Sequence, residues 1–253
     1  MSKPTIILVF LAAHATTLDT QSLVQQRIMG GTIAENGAYP FMVSLREIPG
    51  IHICGGTILN NLWILTAAHC VDKRTASNLI AVVGTNILGL VSTARRAKRI
   101  VLHPLYRNTS NRPNDIAMIR LVSALTYSST VAPVKLDTEY HQSITDVTVI
   151  GWGSKRMDGP MSNRLRQLST QTMTTAACTP YWPMVTTKQI CTFAVRGKSF
   201  CDGDSGGPVI DASTKMQLGI MSFNYRFACG VLPDINTRVS EYTLWIENTV
   251  NTQ

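Results

Sequence analysis

The sequence predicts an all-β protein closed by one C-terminal helix, and three observations carry that reading. Short apolar or β-branched runs recur along the chain, Gly, Pro and Asn punctuate the gaps, and a helix-like pattern is clear only near the end. The runs are, in order, Phe41–Leu45, Trp63–Thr66, Leu79–Val83, Ala117–Leu121, Val147–Ile150 and Leu218–Met221. Such spacing favours a sandwich or a barrel. In the last segment Tyr242, Leu244, Trp245 and Ile246 follow Ser240, which reads as an N-cap. No repeat of solenoid length and no low-complexity tract interrupts the pattern.

The chain opens with Lys3, an apolar run from Ile6 to Ala13, and the small-residue pattern Ala13-His14-Ala15. That reads as a signal peptide over 1–15, cut after Ala15. The run falls short of the roughly 18 residues that a spanning helix needs, so the expected location is extracellular, with no membrane span. A polar stretch, Thr16 to Arg27, ends in a basic residue immediately before Ile28-Met29-Gly30-Gly31. Cys54, Cys70, Cys178, Cys191, Cys201 and Cys229 all lie downstream, and an even count in an exported chain favours three disulfides. Sequence alone leaves their pairing open. No close CxxC pair is present, which argues against zinc.

With 45% hydrophobic and 15% charged residues the chain is globular rather than disordered, and its 253 residues allow one large β domain or two small ones. The net charge of +8 is unevenly placed. Lys73 to Asn114 contains no Asp or Glu, yet it holds Lys73, Arg74, Arg95, Arg96, Lys98, Arg99, Arg107 and Arg112. Such a run reads first as a solvated face and second as a surface for an anionic partner or substrate. Nucleic acid is not among the expected partners.

Three segments carry chemistry. Leu65-Thr66-Ala67-Ala68-His69-Cys70 puts an imidazole at the end of an apolar run, and Asn114-Asp115-Ile116-Ala117-Met118 puts an acid at the start of another. Neither means much alone. The octet Cys201-Asp202-Gly203-Asp204-Ser205-Gly206-Gly207-Pro208 is more specific. Its glycines allow a tight turn in which the Ser205 hydroxyl and the amides of Gly203 and Ser205 face one point. A hydroxyl, a base, an orienting carboxylate and oxyanion donors are the set that acyl transfer by serine requires.

In this order the three motifs resemble the chymotrypsin-like serine proteases, from Ile28-Met29-Gly30-Gly31 through Gly151-Trp152-Gly153 to Trp245-Ile246. The resemblance implies two six-stranded antiparallel β-barrels with the site between them and a terminal helix. The implied ranges are a propeptide over 16–27 and a peptidase domain over 28–253, with barrels at about 28–140 and 141–240 and the helix at about 241–250. It also implies the pairings Cys54–Cys70, Cys178–Cys191 and Cys201–Cys229. The implied roles follow the family's general template: Ser205 nucleophile, His69 base and then acid, Asp115 orienting the imidazole, Gly203 and Ser205 oxyanion donors. Cleavage after Arg27 would free the Ile28 amine to pair with Asp204, since a buried carboxylate is costly without a partner. Met29 stands where the family has valine, an apolar exchange expected to be tolerated.

The same resemblance puts Ser199 at the base of the primary specificity pocket, where trypsins carry Asp and chymotrypsins Ser. Ser222-Phe223-Asn224 forms its wall, with Asn224 in place of glycine and narrowing the mouth. Pro233-Asp234 puts an acid where ordinary trypsins and chymotrypsins have glycine, and these features resemble the brachyurin-type serine collagenases. The expected preference is for large apolar residues, with broad or tryptic cleavage through Asp234 as the alternative. A chymotrypsin-like enzyme cuts poorly after Arg27, so a separate tryptic protease is the expected activator. Protein or peptide substrates and protein inhibitors complete the expected partners of a monomer in digestion or another simple extracellular role. A non-catalytic homologue is the rival from another class; such chains tend to lose a member of the triad, and this one keeps all three. No cofactor and no metal are expected, because the region where some relatives bind calcium lacks acids here. Asn108-Thr109-Ser110 fits a glycosylation acceptor.

Overall fold

A computed structural model describes residues 31–154, 158–193, 198–225 and 229–252. The leader, the propeptide, Arg27 and Ile28 lie outside the described residues. Six strands close the first barrel: β2 (Met42–Glu47), β3 (Ile51–Ile58), β4 (Trp63–Thr66), β5 (Leu79–Val83), β6 (Thr93–Leu102) and β7 (Ala117–Leu121), in the order β2-β3-β4-β7-β6-β5. The second contains β8 (Asp146–Gly151), β9 (Arg166–Met173), β10 (Gln189–Thr192), β11 (Pro208–Asp211), β12 (Gln217–Phe223) and β13 (Asp234–Arg238). Its order, β9-β10-β13-β12-β11-β8, returns on itself through β8–β9 pairing, and the short β1 (Thr32–Ile33) extends it beyond β9. The named strands pair antiparallel throughout, as the expected fold requires.

All six apolar runs fall on strands, with Phe41 alone preceding its strand, because the interiors of closed barrels are filled by strand side chains. Leu45, Ile58, Leu65, Leu79, Met118 and Ile119 are fully buried in the first barrel. Each such side chain contributes roughly 1.5–3 kcal/mol by leaving water. Two helices follow strands in the second half: α1 (Thr175–Cys178), capped by the Thr174 hydroxyl, and α2 (Thr243–Thr252). A 3-10 turn, Val239–Tyr242, precedes α2, so Ser240 lies inside that turn. The Ser240 hydroxyl is buried without a hydrogen-bond partner and is not the cap that the sequence suggested. Tyr242 and Ile246 pack into the first barrel's core although they follow the second barrel in sequence. The terminal segment therefore clamps the two halves together.

Three disulfides join Cys54–Cys70, Cys178–Cys191 and Cys201–Cys229. These are the pairings implied by the family resemblance. The first ties β3 to the residue after His69, and the third ties the loop around Ser205 to the chain before β13.

Candidate active site

Strand register assembles the site. β4 pairs with β7 so that Thr66 lies opposite Ala117, which sets the end of one strand beside the start of the other. His69, in the 3-10 turn Ala68–Cys70 after β4, therefore meets Asp115 just before β7. The Asp115 carboxylate accepts twice from His69, at 2.8 Å from the backbone N–H and 2.7 Å from Nδ1. Ser222 Oγ donates a further short bond to the same carboxylate, and Thr237 Oγ1 donates to the Asp115 carbonyl at 2.8 Å. Burial alone pushes the Asp115 carboxyl up, but attraction to His69 and the bonds from His69 and Ser222 outweigh it and hold the pKa below the usual value. Tyr242 Oη reaches Asn114 Oδ1 at 3.2 Å, so the C-terminal segment buttresses the loop carrying Asp115.

Ser205 lines one cleft of about 810 Å³ with His69, Arg112, Ser222, Phe223 and Asn224. Among the described residues, Ser205 Oγ and His69 are not hydrogen-bonded; such bonds are commonly loose until a substrate tightens the geometry. Gly203 takes φ +90°, open to glycine and strained for other residues. Neither the Gly203 nor the Ser205 backbone N–H has an acceptor among the described residues, so both remain able to bind a developing oxyanion. The two barrels meet here through the Gly55 N–H, which donates to the Ser205 carbonyl at 2.8 Å.

A second layer holds this loop, and sequence reasoning missed it. His52 Nε2 lies 2.9 Å from the Gly203 carbonyl and Nδ1 lies 2.8 Å from Ser44 Oγ, which also accepts from Arg46 Nε. Burial lowers the His52 pKa to about 4, so the ring is neutral, with Nε2–H donating to Gly203 and Nδ1 accepting from Ser44. Nothing in the local pattern of β3 distinguishes His52 from an ordinary buried strand residue. Its role arises only where the barrels touch.

Asp204 is fully buried; its carboxylate accepts from the Gly153 N–H at 2.7 Å and the Cys201 N–H at 3.0 Å. Burial, with a smaller push from Asp202, raises its pKa to about 7 against the pull of those bonds. No cation pairs with it among the described residues. A Cβ on Gly153 would lie 2.2 Å from Asp204 Oδ2 and 2.3 Å from Cγ. Gly153→Ala is thus expected to displace Asp204 and lower kcat/KM at least about 100-fold, the scale of one lost oxyanion donor. Wild-type kcat/KM in a folded variant would overturn this.

Ser199 and Asp234 meet away from solvent. Ser199 Oγ is 2.8 and 2.9 Å from the two Asp234 oxygens and 2.7 Å from the Phe200 carbonyl. One hydroxyl proton cannot serve three acceptors, whereas a protonated Asp234 donates one of these bonds. Burial, partly offset by hydrogen bonds from Ser199 and Phe200, raises the Asp234 pKa to about 8, so the carboxyl is largely neutral at neutral pH. Asn224 Nδ2 donates to the Phe200 carbonyl at 2.8 Å and ties the Ser222–Asn224 segment across to this pair. The open cleft stops short of Ser199 and Asp234.

Asn108 is exposed on the cleft rim and donates to Asp72 Oδ2 at 3.1 Å. A cluster of Cys54, His69 and Cys70 has metal-like spacing, but the sulfurs are joined in a disulfide and offer no thiolate.

Comparison with known proteins agrees with this geometry. The trypsin family model matches residues 28–246. Chymotrypsin-2 of Vespa crabro is 35% identical over 222 residues, 87% of this chain and 98% of its own. Cationic trypsin-3 of Rattus norvegicus is 34% identical over 255 residues, 98% of either chain. Serine protease SP24D of Anopheles gambiae is 32% identical over 229 residues, 88% of this chain and 81% of its own. With the double-barrel fold and these matches, the chain belongs to the trypsin family and is a serine endopeptidase.

Proposed function

We propose that this endopeptidase is secreted as a precursor, activated by cleavage after Arg27, and cuts peptide bonds through a Ser205 acyl-enzyme. The observation that carries the chemistry is His69, doubly hydrogen-bonded to the buried Asp115 and lining one cleft with Ser205, beside amides of Gly203 and Ser205 that have no acceptor among the described residues. In the first step Ser205 Oγ bonds to the substrate carbonyl carbon while His69 Nε2 takes the hydroxyl proton. The carbonyl electron pair moves onto oxygen, facing the two amides. His69 then protonates the amine as the C–N bond breaks, and a water molecule repeats the sequence to release the acid. Asp115 holds the Nδ1–H tautomer and stabilises the imidazolium. Arg27 marks the activation cut, and the freed Ile28 amine supplies the cation that Asp204 lacks among the described residues.

Export rests on the leader pattern over 1–15; among the described residues no helix is long and apolar enough to cross a membrane. Protein or peptide substrates, an activating tryptic protease and protein inhibitors are its proposed partners, and it acts as a monomer. Its relatives carry both chymotrypsin and trypsin names, so specificity is read from the pocket. At neutral pH the neutral Ser199–Asp234 pair favours large apolar residues at the cut. The second reading, cleavage after Lys or Arg, is favoured by the same pair once Asp234 ionises. The ratio of kcat/KM for Lys or Arg substrates over Phe or Leu substrates should therefore rise about tenfold or more between about pH 6 and pH 9, following ionisation near about 8. Asp234→Asn should flatten the profile, and an identical slope in that variant would sink the pocket-acid reading.

A further inference from the structure

The edge of the cleft next to Ser222 already carries a cation. Arg112 Nη1 donates to the Ser222 carbonyl at 2.9 Å, and its guanidinium carbon lies 6.0 Å from the centre of the Phe223 ring. Arg112 adopts φ +37°, a left-handed conformation uncommon for a long side chain and frequent where a residue is held for function. The surrounding loop is anchored on both sides: Arg112 N donates to the Thr109 carbonyl at 3.1 Å, Asn114 Nδ2 to the Leu105 carbonyl at 2.9 Å, and Gln189 Nε2 to the Asn111 carbonyl at 3.0 Å. Arg112 makes no ion pair among the described residues, and its loop contains no acid. On another part of the cleft lining, Asp158 N donates to Asp202 Oδ2 at 2.9 Å, bringing two acids together.

An extended peptide gains main-chain bonds by adding to a strand edge, and here the edge is the end of β12 at Ser222 and Phe223. Successive side chains of that peptide point in opposite directions. If the residue at the cut points towards Ser199, the residue before it faces the other way, towards His69 and Arg112. The incoming main chain also takes the Ser222 carbonyl, which releases the Arg112 guanidinium. A freed guanidinium in a partly enclosed cleft gains most from a carboxylate, which it can grip with two parallel bonds. We infer that Arg112 is a specificity-determining residue that selects Asp or Glu as the second residue before the scissile bond. This inference rests on the cleft being the peptide-binding site of the proposed function.

The test separates binding from chemistry. In a Ser205→Ala protein cleaved after Arg27, fluorescence anisotropy compares peptides that differ only at the second residue before the cut, as Asp, Asn or Lys. The Asp peptide should bind about tenfold tighter than the Asn peptide at low salt, with a smaller ratio at high salt. Arg112→Gln should bring the ratio near unity, Arg112→Lys should keep part of it, and Arg112→Glu should turn the preference to Lys. That gain of a new preference cannot come from misfolding. Equal Asp and Asn affinities, or the same ratio in wild type and Arg112→Gln, would overturn the inference. An intact binding ratio with no hydrolysis by the Ser205 enzyme would support Arg112 and count against the proposed chemistry alone.

Discussion

Ser205→Ala is expected to lower kcat by about a million-fold, the scale found when a serine nucleophile is removed from a triad. The size follows from how the site is built. In the proposed chemistry no acyl-enzyme forms without Oγ, so His69, Asp115 and the two amides would lose the reaction that they serve together. A slower reaction remains, because binding and oxyanion stabilisation still act on attack by water. Asp115→Asn should cost less, about ten thousand-fold, by favouring the wrong His69 tautomer while leaving the nucleophile in place. Single-turnover assays on a peptide library, with enzyme concentration set by absorbance, measure both. Comparable cleavage by Ser205→Ala would remove the basis of the assignment.

Arg27→Gln is expected to give a precursor at least about 100- to 1000-fold less active than the processed enzyme, the cost of losing an oxyanion donor. The physical cause is Asp204. A carboxylate buried this completely resists ionisation, and its pKa of about 7 leaves it only partly charged at neutral pH. A cation delivered by a new amino terminus would favour the charged form and hold the turn that aims the Gly203 and Ser205 amides. Adding a tryptic protease should activate the wild-type precursor and leave Arg27→Gln silent, while incubation of purified wild-type precursor alone should do little. Full activity of the uncut variant would exclude the scheme, and rapid self-activation would count against the apolar specificity.

The strands legible in the sequence were those whose buried faces make uninterrupted apolar runs, such as β4 and β5. β6 was not, because its sequence, TARRAKRIVL, exposes cations to solvent and a bulge between Ala97 and Arg99 shifts its alternation. β9 was hidden for a related reason: RQLSTQTM is mostly polar, yet Arg166 and Thr172 are buried by contacts from elsewhere in the fold. Ser240 illustrates the opposite error. A good capping residue stood at the right distance from the helix, but packing of Val239 and Tyr242 drew it into a 3-10 turn.

By itself, the sequence determined the β-rich class, the terminal helix and the motifs around His69, Asp115 and Ser205, because periodicity and turn chemistry are local. Family resemblance added the double barrel and the cysteine pairing, both present in the structure. Only the tertiary structure decided that neutral His52 holds the Gly203 carbonyl, that Asp234 shares its carboxyl with Ser199, and that one arginine of a basic stretch caps Ser222 in the cleft. Those contacts join residues 151, 35 and 110 positions apart. Their energetics depend on burial at the meeting of two barrels, a property that no short stretch of sequence contains.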